Sequence, residues 1–305
     1  MKKLICRVAS LALIAAAQLG TLARPAFAET PDAAAARAEI EKTFGFVPSF
    51  VAAIPDEALP GAWRELAGLQ LSETTALPGK IKELIGLGVS AQIPCRYCIY
   101  GHTEFAKVDG ASQREIGEAV AMAALTRHWS TIFQGALLDE AAYRRDIGKL
   151  VAAARHAGPS PAPAPHASDA DGALAEMRQN FGFVPGFIAA VPREALPGAW
   201  QELMQVELSP ATQLSAKDKS LIGLAVASQI PCRYCVIGDT EFAKLAGASE
   251  REIHEAVAMA ALARNWSTLF NGLQIDEAAY RRDIDRLVKG AQHATPQALA
   301  GKGAH

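Results

Sequence analysis

Apolar residues recur along this chain at intervals of three and four, and no stretch shows the strict alternation of a strand. From Gly79 to Gln92, Ile81, Leu84, Ile85 and Val89 fall on one helical stripe. The stripe predicts a helix that ends at the Ile93-Pro94 corner. Pro94 is expected in the first turn of the next helix, where its missing N–H costs little. That helix carries Cys95, Cys98, His102, Phe105 and Ala106 and stops before Gly110. Ser112 followed by Glu115 has the form of a capping box and opens a third helix, SQREIGEAVAMAAL. Helical spacing continues from Trp129 to Leu137 and through DEAAYRRDIGKLVAAARHA. Abundant alanine and few β-branched runs agree with an all-α fold.

The pattern is written twice. The offset from Cys95 to Cys232 also aligns FGFVPSF with FGFVPGF, EALPGAW with its second copy, Leu84 with Leu221, and EAVAMAAL at Glu118 with Glu255. It aligns DEAAYRRDI at Asp139 with Asp276 as well. About two-thirds of the aligned positions are identical, which marks a tandem duplication of a domain-sized unit. The expected organisation is a signal peptide at 1–28, a first helical repeat at 29–156, a linker at 157–170, a second repeat at 171–292 and a flexible tail at 293–305. The linker, AGPSPAPAPHASDA, is rich in proline and alanine and reads as semi-extended.

The N-terminus changes the reading of charge and cysteines. Lys2 and Lys3 precede an apolar run from about Val8 to Leu22, and Ala26-Phe27-Ala28 offers a small-x-small cleavage pattern. Cleavage there predicts an exported, periplasm-type protein with no membrane span in the mature chain. It removes four basic residues and no acid, so the formal charge moves from −2 to about −6. A mildly acidic chain without a basic cluster gives no support for nucleic-acid binding. Cleavage also removes Cys6, which leaves Cys95, Cys98, Cys232 and Cys235, all in two CRYC motifs exposed to oxidising conditions.

A Cys-x-x-Cys pair at a helix start places two sulfurs on one face, within reach of a disulfide, and the positive helix end stabilises a thiolate. The same pair also serves as an inert staple or half a zinc site, and four cysteines together could make an all-thiolate site. In the first copy His102 lies one helical turn beyond Cys98, where an imidazole can take or relay the thiol proton. Glu83, on the preceding helix, approaches that pair if the two helices form a hairpin.

Glu83, Cys95, Cys98 and His102 reproduce the pattern E-x11-C-x-x-C-x3-H, and here the sequence resembles the alkylhydroperoxidase D-like group of the carboxymuconolactone decarboxylase superfamily. FGFVPSF and the helix after the cysteines share the resemblance. It implies an all-helical fold, no metal or organic cofactor, and a homo-oligomer, often a trimer or hexamer. It further implies a dithiol peroxidase whose substrate is a hydroperoxide and whose electrons come from a thiol reductant or redox partner protein. Carried over, Cys98 attacks the peroxide, Cys95 resolves the sulfenic acid, and His102 with Glu83 forms the proton relay. Tyr97 stands where many members have a second histidine. A non-catalytic helical scaffold stapled by its disulfides remains the alternative.

The second copy keeps Cys232 and Cys235 as a secondary redox or structural disulfide, but has Ser220 for Glu83 and Asp239 for His102. A carboxylate one turn from Cys235 is expected to repel a thiolate and raise that thiol's pKa. His128 and His254 are expected on the surface or in packing.

Overall fold

A computed structural model describes residues 30–157 and 167–300. The expected signal peptide, most of the linker and the last five residues lie outside the described residues. Within the first repeat the helices are α1 (Pro31–Phe44), α2 (Leu59–Glu65), α3 (Gly79–Gln92), α4 (Arg96–Val108), α5 (Gln113–Gly135) and α6 (Glu140–Ala157). The second repeat gives α7 (Ala170–Phe181), α8 (Leu196–Glu202), α9 (Ala216–Gln229), α10 (Arg233–Leu245), α11 (Glu250–Gly272) and α12 (Glu277–Ala300). No strand occurs among the described residues. The helix of α12 continues past residue 292 to Ala300.

Local chemistry accounts for the boundaries. Ser112 and Glu115 close their capping box at the start of α5, and Ser249 with Glu252 does the same for α11. At α4 the expectation needs correction. Pro94 lies before the helix, and Cys95 is the N-cap, its Sγ accepting the Cys98 N–H at 3.3 Å. The cysteine side chain, rather than proline, caps that helix end.

Each α2 and α8 runs into a single π-helical turn, Leu66–Gln70 and Leu203–Glu207. The loop after each turn is anchored by a buried lysine. Lys82 Nζ donates to the carbonyls of Leu69 and Ser72 and to Thr75 Oγ1. Lys219 repeats this with Val206, Ser209 and Thr212. Burial pushes both ammonium pKa values down, and the ring of acceptors compensates part of that cost.

The two repeats interlock. Helices α3, α5, α9 and α11 pack together at the centre, and one continuous apolar core spans both copies. Gly88 lets α3 approach α9, since a Cβ there would stand 3.1 Å from Ile222 Cγ2. The last helix of each repeat crosses to the other copy, so that α6 covers α10 and α12 covers α4. Polar ties enforce the exchange in symmetric pairs. Asp283 accepts from the Ser49 N–H at 2.6 Å, and Asp146 accepts from the Gly186 N–H at 2.6 Å. Glu255 accepts from the Ala76 and Leu77 N–H groups, while Glu118 accepts from those of Gln213 and Leu214. Each cysteine helix is therefore roofed by the other repeat.

Candidate active site

The first CxxC pair lies at the buried start of α4. Cys95 and Cys98 are joined as a disulfide, with exposures of 0% and 4%. Of the two, only Cys98 borders a cavity of about 120 Å3, which His102 also lines. The helix end favours an anion at Cys95, but access to a substrate belongs to Cys98. The two sulfurs therefore differ in surroundings, Cys98 bordering the cavity and Cys95 fully buried behind it.

The hairpin of α3 and α4 brings Glu83 to His102 as the spacing anticipated. His102 Nδ1 donates to Glu83 Oε2 at 2.7 Å, and both side chains are buried. A carboxylate accepts only, so this bond fixes the tautomer and leaves Nε2 as the free ring nitrogen. The other oxygen, Oε1, accepts from Gln70 Nε2 at 2.8 Å. Gln70 comes from the π turn, and the sequence reading missed it. The signal was present in the repeat alignment, where Gln70 faces Glu207.

Gly86 is a second unrecognised part of the site. A Cβ at this position would stand 2.3 Å from His102 Cε1, 2.5 Å from Nε2 and 2.6 Å from Nδ1. Only a glycine leaves room for the imidazole. A third part arrives from the other repeat. The Tyr280 hydroxyl on α12 stands 2.8 Å from where a Gly101 Cβ would lie, and Trp266 and Phe270 of α11 complete the apolar wall. Burial first, and then the charge of Glu83, push the Tyr280 phenol up.

Tyr97 makes no hydrogen bond to His102 or Glu83. Its hydroxyl donates to the Ile275 carbonyl at 2.7 Å, and its ring packs on Phe270 and Tyr280. It ties the repeats together. His128 is exposed against Trp129 and His254 is exposed on α11, both as expected.

The second copy has the same frame with different chemistry. Cys232 and Cys235 are joined as a disulfide, and Cys235 alone of the pair borders a larger cavity of about 500 Å3. Asp239 and Glu207 line that cavity, whereas the Ser220 hydroxyl turns back to the Ala216 carbonyl. Burial, and then the charge of Glu207, drive the Asp239 carboxyl well above its ordinary range, and burial raises Glu207 to about 7. The upward shift of the Asp239 carboxyl weakens the repulsion it was expected to exert on a Cys235 thiolate.

Among the described residues no group of three or more His, Cys, Asp or Glu side chains could hold a metal ion. No helix of those residues is long and apolar enough to cross a membrane.

The sequence profile of the carboxymuconolactone decarboxylase family matches residues 57–141 and again 194–278, more than half of the chain. The chain belongs to this family. The family includes both decarboxylases and alkylhydroperoxidase D-like peroxidases. Each matched segment of this carboxymuconolactone decarboxylase family member runs through one π turn and one CxxC helix. Searches of curated proteins and of solved structures found no match.

Proposed function

We propose that the first repeat is a dithiol hydroperoxidase site in an exported protein. The observation that carries this reading is the His102–Glu83 bond of 2.7 Å, with His102 and Cys98 on one cavity. In the reduced protein, His102 takes the Cys98 proton and Glu83 stabilises the imidazolium that forms. The Cys98 thiolate attacks the terminal peroxide oxygen, the O–O bond breaks, and the alkoxide leaves with the proton returned by His102. Cys98 is now a sulfenic acid. The Cys95 thiolate attacks its sulfur, the hydroxide departs as water after protonation, and the disulfide forms. An external dithiol then returns two electrons by exchange. The small apolar cavity favours a hydroperoxide with a modest hydrocarbon group. Export to the periplasm and assembly into a homo-oligomer belong to the same proposal, resting on the N-terminal pattern and the family resemblance.

Reduced mature protein treated with cumene hydroperoxide is expected to lose the Cys95 and Cys98 thiols stoichiometrically. Cys98→Ser abolishes the loss at this site, and His102→Ala slows it by about 10²-fold or more. Thiols that remain inert in the native protein would instead support a stapled scaffold.

A further inference from the structure

The second cavity keeps the cysteine, tryptophan and tyrosine of the first but changes the two groups that gave N–H bonds there. In the first repeat the donors and acceptors close on themselves, since Gln70 and His102 both give N–H groups to Glu83. In the second, both donors have become acids, Glu207 and Asp239, and the acceptor between them has become Ser220, engaged with its own helix. No hydrogen bond or ion pair to another described residue engages either carboxyl. Asp239 is only 8% exposed and borders the cavity.

An independent observation comes from the other repeat. Tyr143 on α6, 5% exposed, lines the same cavity, and its hydroxyl has no partner among the described residues. That hydroxyl lies 2.9 Å from where a Gly238 Cβ would stand, beside Asp239 in sequence. Phe133, Phe181, Phe187 and Trp200 supply much of the remaining wall. The cavity thus joins an aromatic chamber of about 500 Å3 to two carboxyls without partners, and the indole N–H of Trp129 in its wall is unpartnered as well.

We propose that this cavity binds a small organic cation, an apolar amine whose ammonium N–H groups go to Asp239 and Glu207 and whose hydrocarbon lies against the aromatic wall. The cation supplies both the missing donors and a positive charge, which a neutral ligand does not. An anionic ligand would be repelled. The other groups facing the pair do not replace the ligand. Lys219 on α9 eases the Glu207 charge from a distance but gives its N–H groups to Val206, Ser209 and Thr212. Burial, and after it the neighbouring Asp239 and Glu207, push the Tyr143 phenol up, and Cys235 is held in its disulfide. Binding an ammonium displaces a proton from the carboxyl pair, so affinity should rise with pH through the Glu207 transition near 7.

The test is calorimetric titration of the full mature chain with 2-phenylethylamine, compared with 2-phenylethanol and 3-phenylpropionate. The amine is expected to bind one per chain, about tenfold tighter at pH 8 than at pH 6, with proton release read from the buffer dependence of the heat. Asp239→Asn and Glu207→Gln, each checked by thermal melting, are expected to weaken the amine at least about tenfold. Either variant keeps side-chain volume and shape, so both should fold. Equal binding of the alcohol, unchanged binding in both variants, or no binding at about 10 mM amine would each overturn the proposal. Cys98 takes no part in this experiment, so its outcome is independent of the peroxidase reading.

Discussion

Gly86→Ala offers a single methyl as a probe of the relay. The added Cβ would stand between 2.3 and 2.6 Å from three atoms of the His102 ring, whereas carbon atoms rest about 3.5–4.0 Å apart. The ring must therefore retreat by about 1 Å or more. Its bond to Glu83 is 2.7 Å, and such a retreat carries Nδ1 beyond hydrogen-bond reach. The loss of a bond to a charged group is worth roughly 1.5–3 kcal/mol, and a misplacement of this size costs about 10²-fold in rate. Alanine in a helix interior is favoured over glycine by about 1 kcal/mol, which offsets part of the disruption, so the fold should persist. The assay is single-turnover loss of thiols in reduced protein mixed with cumene hydroperoxide, with a melting curve on the same sample. Gly223→Ala is the matched control, because the three atoms nearest its Cβ all belong to Asp239, at 3.0 Å, in the other cavity. It is expected to leave the Cys98 reaction unchanged. A Gly86→Ala protein that reacts within about twofold of wild type would refute the proposed role of the imidazole, since that change is worth under 0.5 kcal/mol.

Stability should carry the signature of the second carboxyl pair. Asp239 has a raised folded pKa, so its contribution is fully present below the ordinary carboxylate range and is lost as pH rises through the folded value. Asp239→Asn is therefore expected to gain about 1–3 kcal/mol relative to wild type at pH 8, and much less at pH 4, in urea unfolding. An equal effect at both pH values would contradict this. Lys82→Met leaves two carbonyls and a threonine hydroxyl without their shared donor and should cost about 2–4 kcal/mol, read as a lower melting temperature; an unchanged melt counts against the anchor. Tyr97→Phe removes the tie to the Ile275 carbonyl and should cost about 1 kcal/mol with the peroxide rate unchanged; a tenfold fall in rate would return Tyr97 to the relay.

Elements with a strong local signal were legible in the sequence. The stripe from Gly79 to Gln92 is α3, and Ser112 with Glu115 caps α5. Glu83 and His102 meet because α3 and α4 form a hairpin, the condition under which their spacing brings them together. The crossing of α6 and α12 could not be read, because a helix that packs on its own repeat and one that packs on the other have the same apolar stripe. Tyr143 and Tyr280, visible only as repeat markers in DEAAYRRDI, became cavity residues through that exchange. Gly86 sat unnoticed in LIGL, since a glycine inside a helix has no local pattern that names the ring it accommodates. Glu207 stands opposite Gln70 in the repeat alignment, but its meaning depended on burial, as did the raised pKa of Asp239.

Two nearly identical cysteine motifs should differ in reactivity because only one has a buried imidazole and its carboxylate. This is tested most directly by trapping the sulfenic acid. Cys95→Ser and Cys232→Ser each remove one resolving thiol, and a dimedone-type probe with mass spectrometry then compares Cys98 with Cys235 under the same limiting hydroperoxide. The account predicts labelling at Cys98 about 10²-fold faster than at Cys235. Equal rates at the two sites would contradict it.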